Sequence, residues 1–423
     1  PPERSLARAL AVSRSTVTAA LDELRADEVV ESRQGSGTWV RGAPRHVGAT
    51  RIAQHFADSP GVDLAAGNPP DPSHWPPLSI DVADLIAEGG GPGVQPVGLA
   101  ALRLALAAGH AAAGLRTDIE QIHVTAGAHQ AIALVVGACA GPGDAVAVED
   151  TTYPGIFDIL DARGVRALAL PTDRAGLLPD PLARALETVG PKVLYVQAGP
   201  HNPTGRAPSP GRLRALADVL DRFDATVIED CALAELTFAG RVRPELADMC
   251  RRATVVSVGS FSKVAWGGLR LGWLRAPAPL VEATMHLRLA NDLGPSVPAQ
   301  LIGLRLLPHF GLLVERRRAS LAASVDRAVE RVRSDFPAWT LHPPAGGSVL
   351  WVETTLADSG PLVQLARRHG VLVAPGAVAH PARRTSGHLR ICVDRPWDLV
   401  DIGLQRLWSA NREIERAPRR ALG

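Results

Sequence analysis

Lysine is almost missing from this chain. Lys and Arg together number 45, yet only Lys192 and Lys263 are lysines. Cysteine is scarce too: Cys139, Cys231, Cys250 and Cys392 lie far apart with no C-x-x-C pair, which argues against a disulfide framework or a zinc centre, and no metal is expected. No apolar run is long enough to cross a bilayer; the longest, around Ala131–Ala140, reads as a buried helix. The opening "PPERSLARAL" is charged and has no signal-peptide core, so a cytoplasmic protein with no membrane partner is expected. Charge of either sign is nearly balanced, with a formal net of +2, so any nucleic-acid contact has to come from a local patch.

What is present starts with the lysine in "GSFSKVAWGGLRLGW", Gly259–Trp273. A GC-rich coding sequence accounts for arginine almost everywhere, but not for a lysine kept against that bias. A primary amine can lose its proton and attack a carbonyl to form a Schiff base, which a guanidinium cannot do. At 423 residues the chain has room for two or more domains, and the rest of it can be searched for what such an amine would need.

The front reads as helix, turn, helix, hairpin. Leu6, Ala9 and Leu10 have helical spacing; Ser13 is a natural N-cap for a second helix with Val17, Leu21 and Leu24 on one face. Two short strand-like runs then flank "QGSG". That order belongs to a winged helix-turn-helix, whose second helix would open with Arg14, Ser15 and Thr16 at its positive end. A packing-only helical hairpin reads equally well from composition. Residues 43–60 lose periodicity and read as a linker.

After Gly61, short β-branched strands alternate with amphipathic helices, which predicts an α/β fold around a parallel sheet with ligands at the strand carboxyl ends. The candidate residues fall at those ends. Gly127, Ala128 and His129 turn a strand into a helix whose N-terminus can hold a phosphate. Tyr153 could stack on a ring, although most tyrosines are simply half-buried. Asn202 sits in the turn of "HNPTG". Asp230 ends the strand "TVIED" and could hold a pyridinium proton. Ser260, Ser262 and Arg270 surround Lys263 and could clamp one phosphate. Arg390, inside the apolar strand "HLRICV", wants a carboxylate partner.

Two resemblances follow. "ERSLARALAVSRSTVTAALDELRADEVVESRQGSGTWV" resembles the GntR-type winged helix, which implies double-stranded DNA as partner and Arg4, Arg14, Ser15, Thr16 and Gly35 as DNA contacts. The family's first helix is expected ahead of Pro1, leaving residues 1–42 as an incomplete winged helix. Residues 61–423 resemble the fold-type I pyridoxal-phosphate enzymes of the class I aminotransferase family, carried by the Asn-Pro-x-Gly block and by Ser-x-Ser-Lys. That resemblance implies pyridoxal 5'-phosphate as cofactor, with Lys263 as its Schiff-base amine and acid/base, Asp230 at the ring nitrogen and Asn202 at the phenolic oxygen. It places Tyr153 against the ring. Gly127, Ala128, His129, Ser260, Ser262 and Arg270 would hold the phosphate, and Arg390 the substrate carboxylate.

It also implies a large subdomain over about 98–300, a small one over about 301–423, and a homodimer. Together the halves resemble MocR-type regulators of the GntR family. Two tyrosines usual in the aminotransferases are not matched: Cys231-Ala232-Leu233 follow Asp230, and Gly93-Val94 stand where the partner-reaching tyrosine is expected. Two functions are therefore expected in competition. One is a regulator sensing an amino compound or the cofactor; the other is a working aminotransferase that moves an amino group from an amino acid to a 2-oxo acid.

Overall fold

The computed structural model describes residues 2–26, 30–33, 37–40, 51, 61–69, 71–89, 91–240, 245–382 and 385–416. Its front follows the expected order. Helices α1 (Glu3–Leu10) and α2 (Arg14–Ala26) are followed by strands β1 (Val30–Arg33) and β2 (Gly37–Val40), paired antiparallel from Val30↔Val40 to Arg33↔Gly37. The turn between the helices works because Ala11 takes a left-handed φ of 51°, closing α1 with its N–H on the carbonyls of Ala7 and Arg8. Ser13 then caps α2, its Oγ accepting the Thr16 N–H at 3.1 Å. Gly35 lies outside the described residues, and so does most of the stretch read as a linker. Arg51, inside that stretch, is 4% exposed and donates to the carbonyls of Val378, His380 and Pro381. It is a docked arginine at that point of the chain.

The body is built on a seven-stranded sheet. Its strands are β3 (Ile122–Thr125), β4 (Ala145–Glu149), β5 (Arg166–Leu170), β6 (Val193–Gln197), β7 (Thr226–Asp230), β8 (Thr254–Ser260) and β9 (Gly272–Arg275). They lie in the order β3-β9-β8-β7-β6-β4-β5. The pairs from β5 through β8 are parallel, but β9 runs antiparallel to both its neighbours. The sheet is therefore mixed, not wholly parallel as the strand–helix alternation predicts. The reason is local: β8 returns into β9 through the short Lys263 loop, with no room for a crossover helix.

Helices cover both faces, so the central strands are mostly apolar and buried on both sides. Ile228, Val256 and Val258 pack with α4 (Ala128–Cys139) and α5 (Pro154–Arg163). Ile122 and Val124 pack on the other side with α3 (Ala100–Ala112) and the long helix α6 (Phe310–Asp335). The first half of α6 belongs to that core through Leu313, Val314 and Leu321, while Val325, Val329 and Val332 join a second core. This second core is built from α7 (Gly360–Arg368), α8 (Trp397–Arg416) and a four-stranded sheet. The sheet's strands β10 (Thr340–Leu341), β11 (Val349–Glu353), β12 (Ala374–Pro375) and β13 (His388–Cys392) run in the order β10-β11-β13-β12. The helical stretch Val297–Asp335 is long and apolar enough to cross a membrane, yet Leu301, Leu306, Leu313, Leu321, Val325 and Val332 within it are packed into these two cores.

One backbone approach sets up the site. A Cβ at Gly272, the first residue of β9, would lie 2.8 Å from backbone atoms of Gly127 and Gly259. Only glycine lets β9 sit flush against the turn that starts α4. Gly272→Ala is expected to cost about 1–3 kcal/mol by overpacking against backbone that cannot rotate away. A lower denaturant midpoint at unchanged slope is the check.

Candidate functional site

The parallel strands end on one edge, and the candidates converge there. Of the ten cofactor candidates, all but Gly127 line one cavity of about 170 Å³. Gly127 stands just behind it: its φ of 96° turns β3 into α4, and a Cβ there would lie 3.5 Å from the Arg270 guanidinium. Arg270 itself holds a left-handed φ of 51° and donates through Nη2 to the Ala126 carbonyl at 2.6 Å. A guanidinium is thus fixed against the positive end of a 12-residue helix, and an anion is the group that reconciles two such neighbours. Ser260 Oγ accepts the Ser262 N–H at 3.1 Å, which tightens the hydroxyl loop beside them.

Tyr153 lies at the N-terminus of α5. Gly155 makes room for its ring, since a Cβ at Gly155 would meet the ring at 2.5 Å. The phenol faces His129 Nδ1 at 3.3 Å, ring edge against ring face. Burial, then the nearby Arg270, pulls the His129 pKa below the ordinary imidazole value, so His129 is neutral near pH 7.

Asn202 is positioned by its backbone alone. Gln197, at the end of β6, accepts the Asn202 N–H at 2.9 Å and donates to its carbonyl at 3.0 Å. Its side-chain oxygen Oδ1, an acceptor, is buried without a partner among the described residues, and Asn202 lines the cavity. Asp230 is held at both oxygens. Oδ1 accepts the Ala232 N–H at 3.0 Å, and Oδ2 accepts the Tyr195 hydroxyl at 2.7 Å. Burial is the largest influence on Asp230 and pushes its pKa up; these two hydrogen bonds and Lys263 oppose it.

Lys263 Nζ donates to the Gly67 carbonyl at 2.7 Å and to Asn68 Oδ1 at 2.8 Å. Its pKa falls from the ordinary 10.5 to about 8, first through desolvation and next through the charge of Arg390. Arg390 does not line the cavity, but its Nη2 lies 3.1 Å from where a Gly67 Cβ would be, directly behind the carbonyl that Lys263 holds. Nη1 donates to the Ala65 carbonyl at 2.7 Å, while Nε is buried with no partner. Among the described residues no carboxylate forms an ion pair with this guanidinium.

Sequence reasoning missed Asn68, Gln197 and the role of Tyr195. Asn68 sits in "GNPP", which reads as ordinary turn punctuation, and the contact to Lys263 spans 195 positions. Tyr195 is one of only two tyrosines, a signal that was there, but strand periodicity does not say that its hydroxyl reaches the next strand's carboxylate.

An anion pocket, an unclaimed amide, a hydrogen-bonded buried carboxylate and a depressed lysine fit the phosphate, phenolic oxygen, ring nitrogen and aldehyde of one cofactor. The fold and this constellation define a fold-type I pyridoxal-phosphate protein, and its cofactor is pyridoxal 5'-phosphate. The family model for class I and II aminotransferases matches residues 59–407, and that for bacterial regulatory proteins of the gntR family matches residues 1–40. The chain therefore belongs to the class I and II aminotransferase family, with a GntR-family segment in front, the arrangement of MocR-type regulators.

It is 29% identical to the HTH-type transcriptional regulator YisV of Bacillus subtilis, over 91% of this chain and 86% of that one. It is 31% identical to the HTH-type transcriptional regulator TauR of Rhodobacter capsulatus, over 66% of this chain and 57% of that one. In fold it is similar to the α-aminoadipate aminotransferase LysN of Thermus thermophilus, solved with N-(5'-phosphopyridoxyl)-L-leucine. The TM-score is 0.79 at 24% identity, over 88% of this chain and 96% of that one.

Because Lys263 is neutral only above its depressed pKa, the apoprotein should capture the cofactor aldehyde at a rate that rises with pH. The expected midpoint is about 8, not 10.5. Arg390→Met removes a like charge and should move that midpoint upward. A stopped-flow pH series on both proteins checks it.

Proposed function

We propose that this chain is a pyridoxal-phosphate-dependent transcriptional regulator whose aminotransferase-like body senses an amino compound or the cofactor itself. The observation that supports it is the pairing of a retained Schiff-base and phosphate set with Cys231-Ala232-Leu233 after Asp230, where the aminotransferases carry a tyrosine that tunes the phenolic oxygen; Ala232 and Leu233 line the cavity. The Schiff-base and phosphate contacts for binding are kept, whereas a hydroxyl that assists turnover is not.

When bound, the cofactor supplies an electrophilic aldehyde and an electron-withdrawing ring. Lys263 supplies the neutral amine, and its two acceptors, Gly67 and Asn68, orient it. Asp230, fixed by Tyr195, keeps a proton on the ring nitrogen. Asn202 donates to the phenolic oxygen, and Arg390 receives the carboxylate of an amino-acid effector. Ser260, Ser262, Arg270 and the α4 N-terminus hold the phosphate.

At the front, Arg4, Arg14, Ser15 and Thr16 are exposed, and Arg14 is steered by Glu3 at 3.6 Å. These residues make the DNA contacts in this reading, which sets the protein in the cytoplasm with the genome. We take it as a homodimer. Val82 and Ile86, 69% and 79% exposed on one face of helix Val82–Glu88, support a further apolar contact there.

The DNA-reading helices also rest on the sensing body. α1 packs on α7, and Arg368 Nη2 donates to the Leu10 and Ala11 carbonyls at 3.3 and 3.1 Å. α7 buries Leu362, Leu365 and Ala366 in the same core as Leu389 and Ile391, the neighbours of Arg390 on β13. A ligand that engages Arg390 thus acts on the core that supports α1, with coupling of about 1–3 kcal/mol expected.

A second reading, a working aminotransferase, is favoured by the intact Lys263 and Arg390. The visible spectrum of the loaded full-length protein, with a panel of amino acids and amines, separates the two. A band that shifts and holds supports the sensor. Decay with stoichiometric keto-acid release supports the enzyme. Lys263→Ala should abolish the bound-cofactor band, and an unchanged spectrum in that variant would sink the site assignment. Arg14→Ala should weaken binding to DNA upstream of the protein's own gene by about tenfold and lower the salt slope by about 1. Fluorescence anisotropy at several salt concentrations reads both.

A further inference from the structure

A second cavity, of about 240 Å³, lies against the wall of the first. Ala232 and Ser260 line both. Ala105, Gly109 and Ala113, one helical turn apart along α3 and just beyond its end, form one side, and a Cβ at Gly109 would meet nothing within 4 Å. Trp273 and Phe310 supply aromatic surface. Trp273 lies on Gly259, where a Cβ would strike its ring at 2.2 Å, and its Nε1 donates to His110 Nε2 at 3.2 Å. That bond places the His110 proton on Nδ1.

The cavity contains one unexplained polar atom. Ser257 is 3% exposed, lines the cavity from β8, and its Oγ has no hydrogen-bond partner among the described residues. By strand alternation it faces away from Val256 and Val258, which are committed to the α4 and α5 side. A buried hydroxyl left unpaired is costly, and such an atom in a native wall calls for a ligand or bound water. Among the described residues no lysine or arginine lines this space, and Glu235, the one carboxylate that does, would repel an anion, so it is not a second phosphate site. An engineered apolar cavity of roughly 150 Å³ takes benzene, so there is room here for a bicyclic ring.

We propose that this cavity is a binding site, separate from the Lys263 site, for a small neutral aromatic molecule bearing one ring N–H or O–H. The ring packs on Trp273 and Phe310, and the N–H donates to Ser257 Oγ. Its occupancy reaches the cofactor through Ala232, which lines this cavity and whose backbone N–H holds Asp230 Oδ1 at 3.0 Å.

The test uses the full-length, cofactor-loaded protein with indole as the probe, followed by calorimetry and by the visible absorption of the bound cofactor. Indole should saturate at one molecule per chain and shift the absorption. Gly109→Leu, which grows into the open space, should lower the affinity at least tenfold while the cofactor band persists. Lys263→Ala should leave indole affinity within about twofold, because Lys263 lines only the first cavity. Indene, indole's all-carbon analogue, should bind more weakly than indole, and Ser257→Ala should erase that difference. This last comparison stands even if the leucine variant does not fold. The proposal is overturned if indole does not saturate, if Lys263→Ala abolishes its binding, if a folded Gly109→Leu protein binds it as before, or if Ser257→Ala leaves the indole–indene difference unchanged.

Discussion

Two cations that repel one another, Lys263 and Arg390, are held close in a poorly solvated place, and the rest of the site is arranged around that fact. Desolvation first, and that repulsion next, move Lys263 toward the neutral amine that attacks a carbonyl, an adjustment arginine could not make because it does not deprotonate near neutral pH. Burial likewise pulls the Arg390 pKa down, but from so high a starting value that the guanidinium stays charged. The same surroundings therefore leave one amine that titrates near 8 and one permanent cation. In the proposed sensor, a carboxylate paired with Arg390 would offset that like charge and raise the Lys263 pKa again, so effector binding and lysine protonation would be linked.

The Asp230–Tyr195 contact shows the opposite device. A carboxylate in this burial would drift toward its neutral form, and then it could no longer hold a proton on a ring nitrogen. The two donors, a backbone N–H and a phenol, oppose that drift by hydrogen-bonding the charged form. Tyr195 itself is fully buried, and burial followed by the Asp230 charge pushes its pKa up, so it remains a donor throughout the accessible pH range.

Much of this was legible in the sequence because the chemistry sits at strand ends and helix starts, where local pattern is strongest. Lys263, Asp230, Asn202 and the Ala128–His129 turn each follow a recognisable strand. The order of the front helices and hairpin was equally legible. What escaped was whatever depends on contacts across the chain. Asn68 reaches Lys263 from a segment with no periodicity of its own, and Gln197 clamps Asn202 from a position that reads as the end of a strand. The direction of β9 escaped as well. An apolar strand looks the same read either way, and only the shortness of the Lys263 loop excludes a crossover.

The placement of the front helices bears on whether sensing and DNA binding are joined. A linker alone would leave the winged helix indifferent to what occupies the cavity. Here α1 closes against α7 through the Arg368 guanidinium at the negative end of α1, a favourable charge–dipole contact. α7 in turn shares its core with β13, the strand that carries Arg390. A close-packed core transmits a small displacement instead of absorbing it. The contact at Arg368 is exposed and modest in strength, which suits a switch: an interface between front and body worth many kcal/mol could not be biased by one amino acid. Adjacency supplies only the route, and the coupling is defined by how far an effector changes DNA affinity.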